Sequence, residues 1–568
     1  MKDSWYFIEP YRGKLFTHEW PAIHELIDIN AARFPDKKAF LVFDPKEMVL
    51  TYGEIQNKCK KLAYYLISQG LKEGDRVALT GKNSPQWACA YLAVLYAGGV
   101  IVPIDYQLGI ERISHLVKFA GSKFLFSDEE KEKDLSLTVD NIPLLSLAPG
   151  KPNYLFELEA DAVKLPQVDI DKVAAILYTS GTTGNEKGVM LSHRNFVTDV
   201  FVAASHNIMR IYDKDVFYAL LPIHHSYTMT AVFLEALGHG SSVVFGKKMA
   251  IKQILKDLDK GKVTMFLGIP LLFNKILAGI LKGLREKGII VYGIIRGLMS
   301  FSGFCKKYLK INIGKKMFGF ILKKVNLHTN RICISGGGPL APETFKLFNQ
   351  LGIDFVQGYG MTETAPIITL NPVKSFKESS VGVILPRLDV RIADADSNGI
   401  GEIQVKGPIN CLGYFQDEES TKALFTEQGF LKTGDMGYID KDNYLYITGR
   451  MKSLIVTEGG KNVYPEEIED EFQLFGEIEQ ILVKGYIKDE KLKSEGIEAW
   501  IYPAEEASSQ MSEKELEQLF QSQVDQVNTR LVTYKKINRF KILKEPMEMT
   551  TTKKIKRLKV INQLEGTL

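Results

Sequence analysis

The segment Ile176-Leu-Tyr-Thr-Ser-Gly-Thr-Thr-Gly-Asn-Glu-Lys-Gly-Val-Met190 holds the densest chemistry in the chain. An apolar run leads into Thr179, Ser180, Gly181, Thr182, Thr183 and Gly184, and then into Lys187. Small side chains let consecutive backbone N–H groups converge on an anion. The hydroxyls add donors and the lysine adds charge. A polyphosphate is the matching guest. The spacing is not GxxxxGK[ST], so a phosphate loop of the ATPase type is excluded.

Other chemistry is sparse. Cys59, Cys89, Cys305, Cys333 and Cys411 are widely spaced, contain no CxxC, and read as reduced thiols of a cytosolic protein. His18 and His24 flank a glutamate at the wrong spacing for HExxH. No four-ligand metal cluster can be assembled from spacing.

The form TSGTTGxxKG resembles the phosphate-binding signature of the adenylate-forming (AMP-binding) superfamily. That family includes acyl- and aryl-CoA synthetases, luciferases and peptide-synthetase adenylation domains. Further segments follow in the family's order: Leu221-Pro-Ile-His-His225, Ser335-Gly-Gly-Gly-Pro-Leu340 and Gln357-Gly-Tyr-Gly-Met-Thr-Glu363. Lys432-Thr-Gly-Asp435, Gly449-Arg450 with Lys452, and Gly459-Gly-Lys-Asn-Val-Tyr-Pro-Glu-Glu-Ile-Glu469 complete the series.

The resemblance implies a two-step reaction. A carboxylate attacks the α-phosphate of ATP, giving an acyl-adenylate and pyrophosphate. A thiol, usually that of coenzyme A, then displaces AMP. It also implies the roles. Residues 179–184 and Lys187 would hold the β- and γ-phosphates. Gly336, Gly337 and Gly338 would line the adenine pocket, and Tyr359 would stack on the base. Thr362 would bond the α-phosphate. Glu363, with Thr183, would hold Mg²⁺. Asp435 and Arg450 would take the ribose hydroxyls, and His225 would sit by the acyl carboxylate, with His224 adjacent.

In the tail Thr550-Thr-Thr-Lys-Lys-Ile-Lys-Arg557, alignment on Ile555 and Arg557 makes Lys554 the lysine that bridges carboxylate and α-phosphate. Lys553 occupies the family's glycine position and is the weaker candidate. Lys452 would be the pivot between an adenylating and a thioesterifying pose. Gly459 and Gly460 would approach the thiol, although Glu458 departs from the small residue common there.

The elements that must carry these residues are partly legible. Thr51-Tyr-Gly-Glu54 is a capping box that opens a helix to about Ser68, and Ser512-Glu-Lys-Glu515 opens another. Trp87 to Ile104 carries no charge and has the length of a marginal membrane span. Its Asn83-Ser84-Pro85 start and Gly98-Gly99 stop predict a buried helix followed by a strand. Strands are expected at 77–80, 100–104, 174–178, 243–245 and 331–335. Their alternation with helices predicts parallel, helix-covered sheets. After about Ser379 the pattern becomes antiparallel, and after Gly449 it becomes α+β.

The expected fold is therefore α/β. A large N-terminal domain, 1–449, has two helix-covered sheets plus a small β-barrel over about 379–449. A hinge spans 450–454, and a small mobile α+β domain spans 455–568.

Composition sets the outer limits. The chain has 568 residues, 45% hydrophobic and 25% charged, and a net charge of +4. These values exclude a disordered or collagen-like chain and give no sign of nucleic-acid binding. The first residues do not read as a signal peptide. The average conceals two basic regions. Residues 281–330 carry eleven Lys/Arg against Glu286 alone, interleaved with Ile289–Ile295 and Met317–Leu322. The tail 535–559 carries ten against two.

Basic amphipathic segments favour anionic membrane surfaces. A similar insert occurs in long-chain fatty acyl-CoA synthetases. The expectation is a cytoplasmic, peripherally membrane-associated ligase of long- or medium-chain fatty acids, using ATP, Mg²⁺ and coenzyme A. A homodimer is compatible with this. A carrier-protein ligase, an aryl or short-acyl CoA ligase, and a catalytically silent nucleotide-binding scaffold stand as alternatives.

Overall fold

The computed structural model describes residues 5–139, 141–180, 186–205, 208–457, 461–489, 494–550 and 553–566. Two large sheets organise the N-terminal part. The first has seven strands, in the order 413–414, 186–192, 173–180, 100–104, 76–80, 124–127 and 144–146. Val100–Ile104 is buried along its whole length, as an uninterrupted apolar strand covered on both faces must be. The preceding helix, Pro85–Tyr96, is buried at every position. Ser84 caps it by accepting from the Trp87 amide, and Pro85 sits in the first turn, where its missing N–H costs nothing. The uncharged stretch is thus an interior helix and strand, as predicted. Trp87, Tyr91 and Tyr96 each contribute about 1.5–3 kcal/mol of apolar burial.

The second sheet has thirteen strands. Strands at 38–42, 242–245, 216–219, 265–268, 332–335 and 354–360 run parallel to one another. At its far edge the strands become antiparallel, from Ile367–Leu370 through Tyr444–Arg450 to Asp389–Ala393. These antiparallel strands hydrogen-bond directly onto the parallel part through Asp354–Gly360.

A smaller C-terminal domain has its own core, including Ile468, Val483, Ile501, Phe520 and Val527. Its three-stranded sheet pairs 478–489 with 494–503, and 494–503 with 539–542. The helix Glu513–Asn528 starts on the predicted Ser512–Glu515 box. Gln473 joins this domain to the larger one. Its Nε2 donates to the Pro339 carbonyl at 3.0 Å, and its Oε1 accepts from the Ala341 amide at 2.8 Å. Lys275 pairs with Glu479 at 3.2 Å alongside.

Candidate active site

The site lies where strand ends from both sheets meet the C-terminal tail. Thr179 and Lys187 face each other across the antiparallel pair Val173–Ser180 and Glu186–Ser192. The predicted phosphate residues Gly181, Thr182, Thr183 and Gly184 lie outside the described residues, as does the side chain of Ser180. Lys187 marks where that loop returns. Its Nζ donates to Ser420 Oγ at 2.6 Å and stands 4.8 Å from the centre of the Tyr414 ring. Tyr414 Oη in turn donates to Glu363 Oε1 at 2.8 Å. The phosphate strands and the predicted metal-binding carboxylate therefore share one edge.

Glu363 is only 8% exposed. Burial raises its pKa, and the Tyr414 hydroxyl opposes that shift. A buried, hard oxygen donor of this kind fits Mg²⁺, whose charge would favour the ionised carboxylate. Just before it, Thr362 Oγ1 lies 3.1 Å from Ser226 Oγ. Gly360 is required by close backbone approach, since a Cβ there would sit 1.7 Å from the Pro366 carbonyl oxygen.

Gly336, Gly337 and Gly338 follow the strand Ile332–Ser335. A Cβ on Gly336 would stand 3.0 Å from the Tyr227 ring. Tyr227 is held by carbonyls of two neighbouring strands, at Gly268 and Ile334. Opposite, Tyr359 Oη donates to Asp435 Oδ2 at 2.7 Å, and Arg450 Nε lies 3.2 Å from Asp435 Oδ1. Asp435 and Arg450 are register partners on adjacent strands, which fixes their spacing.

The C-terminal tail closes the ring. Lys554 retains an exposed surface, and its pKa is pushed down to about 8 by desolvation of its ammonium and by Arg450, with Asp435 opposing. Its position is set by a tight turn: the Thr550 amide donates to the Lys554 carbonyl, and the Lys554 amide to Thr550 Oγ1. Lys553 takes a left-handed φ of 62° in that turn and is exposed. Arg557 anchors the far side with paired 2.7 Å bonds to Glu469. Lys556 and Lys559 share Glu548 at 2.6 Å each. With Lys535, Arg539 and Lys544 also on glutamates, six of the tail's ten basic residues are paired within their own domain.

His225 faces the same space. Burial holds its pKa down to about 3, reinforced by His224 and Lys554 and opposed by Asp105. The imidazole is neutral at physiological pH, so it offers a hydrogen bond and no charge. His224 Nε2 lies 3.6 Å from Asp105 Oδ1. Lys452 sits in the exposed turn Met451–Ser453, directly after the strand that carries Arg450. Gly459 and Gly460 lie outside the described residues.

Several positioning residues escaped the sequence reading. Asn83, read there as part of a helix start, clamps the turn before the histidines. Its Nδ2 donates to the Ala219 and Leu221 carbonyls, both at 2.9 Å, and its Oδ1 accepts from the Ile223 amide at 3.0 Å. Tyr414, Ser420, Ser226 and Tyr227 are likewise single polar residues outside any motif. Only an alignment of contacts could have singled them out.

The family model for "AMP-binding enzyme" matches residues 27–415, well over half of the chain. This protein belongs to the AMP-binding enzyme family. It is accordingly an acid–thiol ligase of the AMP-forming kind, with ATP, Mg²⁺ and coenzyme A as its cofactor and co-substrates. The chain is 29% identical to a long-chain-fatty-acid–CoA ligase of Bacillus subtilis, over 82% of this chain and 84% of the relative. It is 28% identical to the long-chain-fatty-acid–CoA ligase FadD15 of Mycobacterium bovis, over 89% and 90%. Among solved structures, ATP-bound MatB from Rhodopseudomonas palustris superposes with a TM-score of 0.75 at 26% identity, covering 96% of this chain and 99% of that one. The anthranilate CoA ligase AuaEII reaches a TM-score of 0.78 at 18% identity over 97% and 98%, a likeness of fold alone.

Proposed function

We propose that this ligase activates a long-chain fatty acid, forming an acyl-adenylate and then acyl-CoA, with release of pyrophosphate and AMP. The observation that carries the adenylation step is the placement of Lys554 from the C-terminal tail beside Arg450 and Asp435 and within electrostatic reach of His225. A lysine beside these groups puts a mobile point charge where carboxylate and α-phosphate meet. Bringing the two anions together is the main obstacle to the first step, and positioning with charge neutralisation overcomes it.

The side chains divide the work. Lys187, with residues 179–184, holds the terminal phosphates. Tyr359 offers its ring to adenine while its hydroxyl orients Asp435 toward the ribose, with Arg450 on the other side. Thr362, steadied by Ser226, reaches the α-phosphate. Glu363 and Thr183 hold Mg²⁺, which when bound neutralises phosphate charge. Neutral His225 orients the acyl carboxylate. Rotation about Lys452 withdraws Lys554 and brings the segment around Gly459 and Gly460 to the thiol.

The long-chain assignment is supported by the named relatives and by the helical insert at 281–330, through which the protein meets a membrane peripherally. The test is acyl-dependent ATP–pyrophosphate exchange with a panel of fatty and aromatic acids, followed by addition of coenzyme A or a carrier protein. Exchange strongest with long-chain acids and a coenzyme A thioester as product are expected. Preference for an aromatic acid, or acylation of the carrier alone, would overturn the assignment.

A further inference from the structure

The insert at 281–330 takes in the end of the helix Pro270–Arg285, a turn at Gly288, the helix Ile289–Phe304, which continues through Cys305–Leu309, and the short helices Gly314–Met317 and Gly319–Lys324. The second helix has its polarity reversed. Ile289, Ile290, Ile294, Phe301, Phe304 and Tyr308 are 53–86% exposed. From Ile290 onward, with Leu298, these recur every three or four residues, so they form one outward stripe. Ile311 and Phe320 extend the stripe beyond the helix end. A helix on a water-facing surface normally shows the opposite arrangement.

The charged side faces inward instead. Arg296 donates to Glu343 at 3.2 Å. Buried Lys306 pairs with Asp354 at 2.8 Å and donates to the Ile353 carbonyl at 2.9 Å. Lys307 pairs with Glu378 at 2.8 Å. Gly303 lies flat on Gln350. Of the eleven basic residues counted in 281–330, these three serve the fold, as do Lys310 and Lys315, which donate to the Lys374 and Asn330 carbonyls, and Lys282 lies 3.7 Å from Glu506. The sequence count thus overstates the free charge. What remains is arranged at the two ends of the stripe. Arg285 and Lys287 are exposed before it, and Lys316, Lys323 and Lys324 after it.

The helix is the one segment among the described residues long and apolar enough by composition to cross a bilayer. The inward bonds rule out that use, because standing it upright would break Lys306 from Asp354 and Arg296 from Glu343 along its length. Pairing with a second copy is disfavoured too. An antiparallel self-pairing would set the Arg285–Lys287 end of one copy against the Lys316–Lys324 end of the other. A surface that is apolar in the middle and anionic at the rim is what this face complements.

We propose that Ile289–Leu309 is an in-plane anchor that seats its apolar stripe in one leaflet of an anionic bilayer, with basic residues at both ends on lipid phosphates. This rests on the peripheral-membrane reading of 281–330 and adds the face, the depth and the lipid charge. The preceding helix begins beside Gly338 of the active site, at Pro270. Its sixteen residues span about 24 Å. The anchor would thus hold the site about one helix length from the leaflet that stores long-chain acids.

The test uses the full chain and vesicles of phosphatidylcholine alone or mixed with phosphatidylglycerol. Binding is expected to favour the mixed vesicles. The double variant Ile294→Glu/Phe301→Glu should lower it at least roughly tenfold. The triple variant Lys316→Glu/Lys323→Glu/Lys324→Glu should lower it roughly 100-fold on mixed vesicles only. All these positions are exposed, and unchanged exchange activity with a soluble acid would show that the fold is intact. Fluorophores on Ile290→Cys and Tyr308→Cys should be quenched equally by brominated lipid, since the native cysteines are buried.

Quenching that differs between the two ends would overturn the in-plane anchor. Vesicle binding that ignores both variant sets would leave the peripheral reading standing and overturn this helix as its basis. No binding to either vesicle overturns both. Loss of a solution dimer in the double variant, without vesicle binding, would assign the face to a second copy and overturn the proposal.

Discussion

At the residue scale, Lys554 and its neighbour Lys553 make the sharpest predictions. Lys554 is charged below its depressed pKa of about 8 and neutral above it. The kcat/KM for adenylation should therefore fall above about pH 8, by up to tenfold per pH unit. Lys554→Arg keeps its charge throughout, so it should lose amplitude and also lose that limb. An identical limb in Lys554→Arg would assign the titration to another group. Lys553 holds a left-handed backbone, a conformation that costs an L-residue about 1–2 kcal/mol. Lys553→Gly should slow hydrogen exchange at the Lys554 amide about fivefold, equivalent to about 1 kcal/mol. Faster exchange would mean that the Lys553 side chain itself supports the turn.

At the element scale, the turn carrying His224 and His225 depends on Asn83. Asn83→Ala leaves the Leu221 carbonyl and the Ile223 amide without their partner, while the Ala219 carbonyl keeps the Gly246 amide, at a cost of about 1–3 kcal/mol. It should lower the melting temperature and reduce adenylation several-fold, and Asn83→Asp, which sets a carboxylate oxygen against the same buried carbonyls, should lose at least as much stability. Equal stability of wild type and Asn83→Ala would contradict the clamp.

This clamp marks the limit of what was legible in the sequence. The capping boxes at Thr51 and Ser512 are local, and both form as read. The uncharged Trp87–Ile104 stretch was readable from its flanking punctuation. Asn83 reaches a turn some 140 residues away, and no local pattern encodes such a partner. The insert helix escaped for another reason. Arg296 is the only charge in its first sixteen residues, so periodicity could not say which side faces inward. The motif residues themselves were legible, and Tyr359, Asp435, Arg450 and Lys554 do come together. Tyr414 and Ser226, which hold their neighbours, were invisible because a lone polar residue carries no signal.

At the scale of the whole molecule, the two domains are fastened by a few polar contacts, chiefly Gln473 on Pro339 and Ala341. Such an interface can be left and re-formed, as a rotating domain requires. Gln473→Ala should therefore slow adenylation several-fold while leaving thioester formation from supplied acyl-adenylate near wild type. Stopped-flow measurement of each half-reaction checks this, and equal slowing of both would place Gln473 outside the pose equilibrium. The near-neutral charge of the chain also reads differently as a whole. Much of the positive charge in the insert and tail is spent on internal pairs, and what remains of the insert's charge gathers at the ends of one apolar helix.

The central claim is that Lys554 serves the first half-reaction and leaves the site for the second. The most direct measurement compares both halves in Lys554→Ala: acyl-dependent ATP–pyrophosphate exchange, and AMP-dependent cleavage of acyl-CoA. Exchange should fall by several orders of magnitude, with cleavage within a few-fold of wild type. Comparable loss in both would contradict the account.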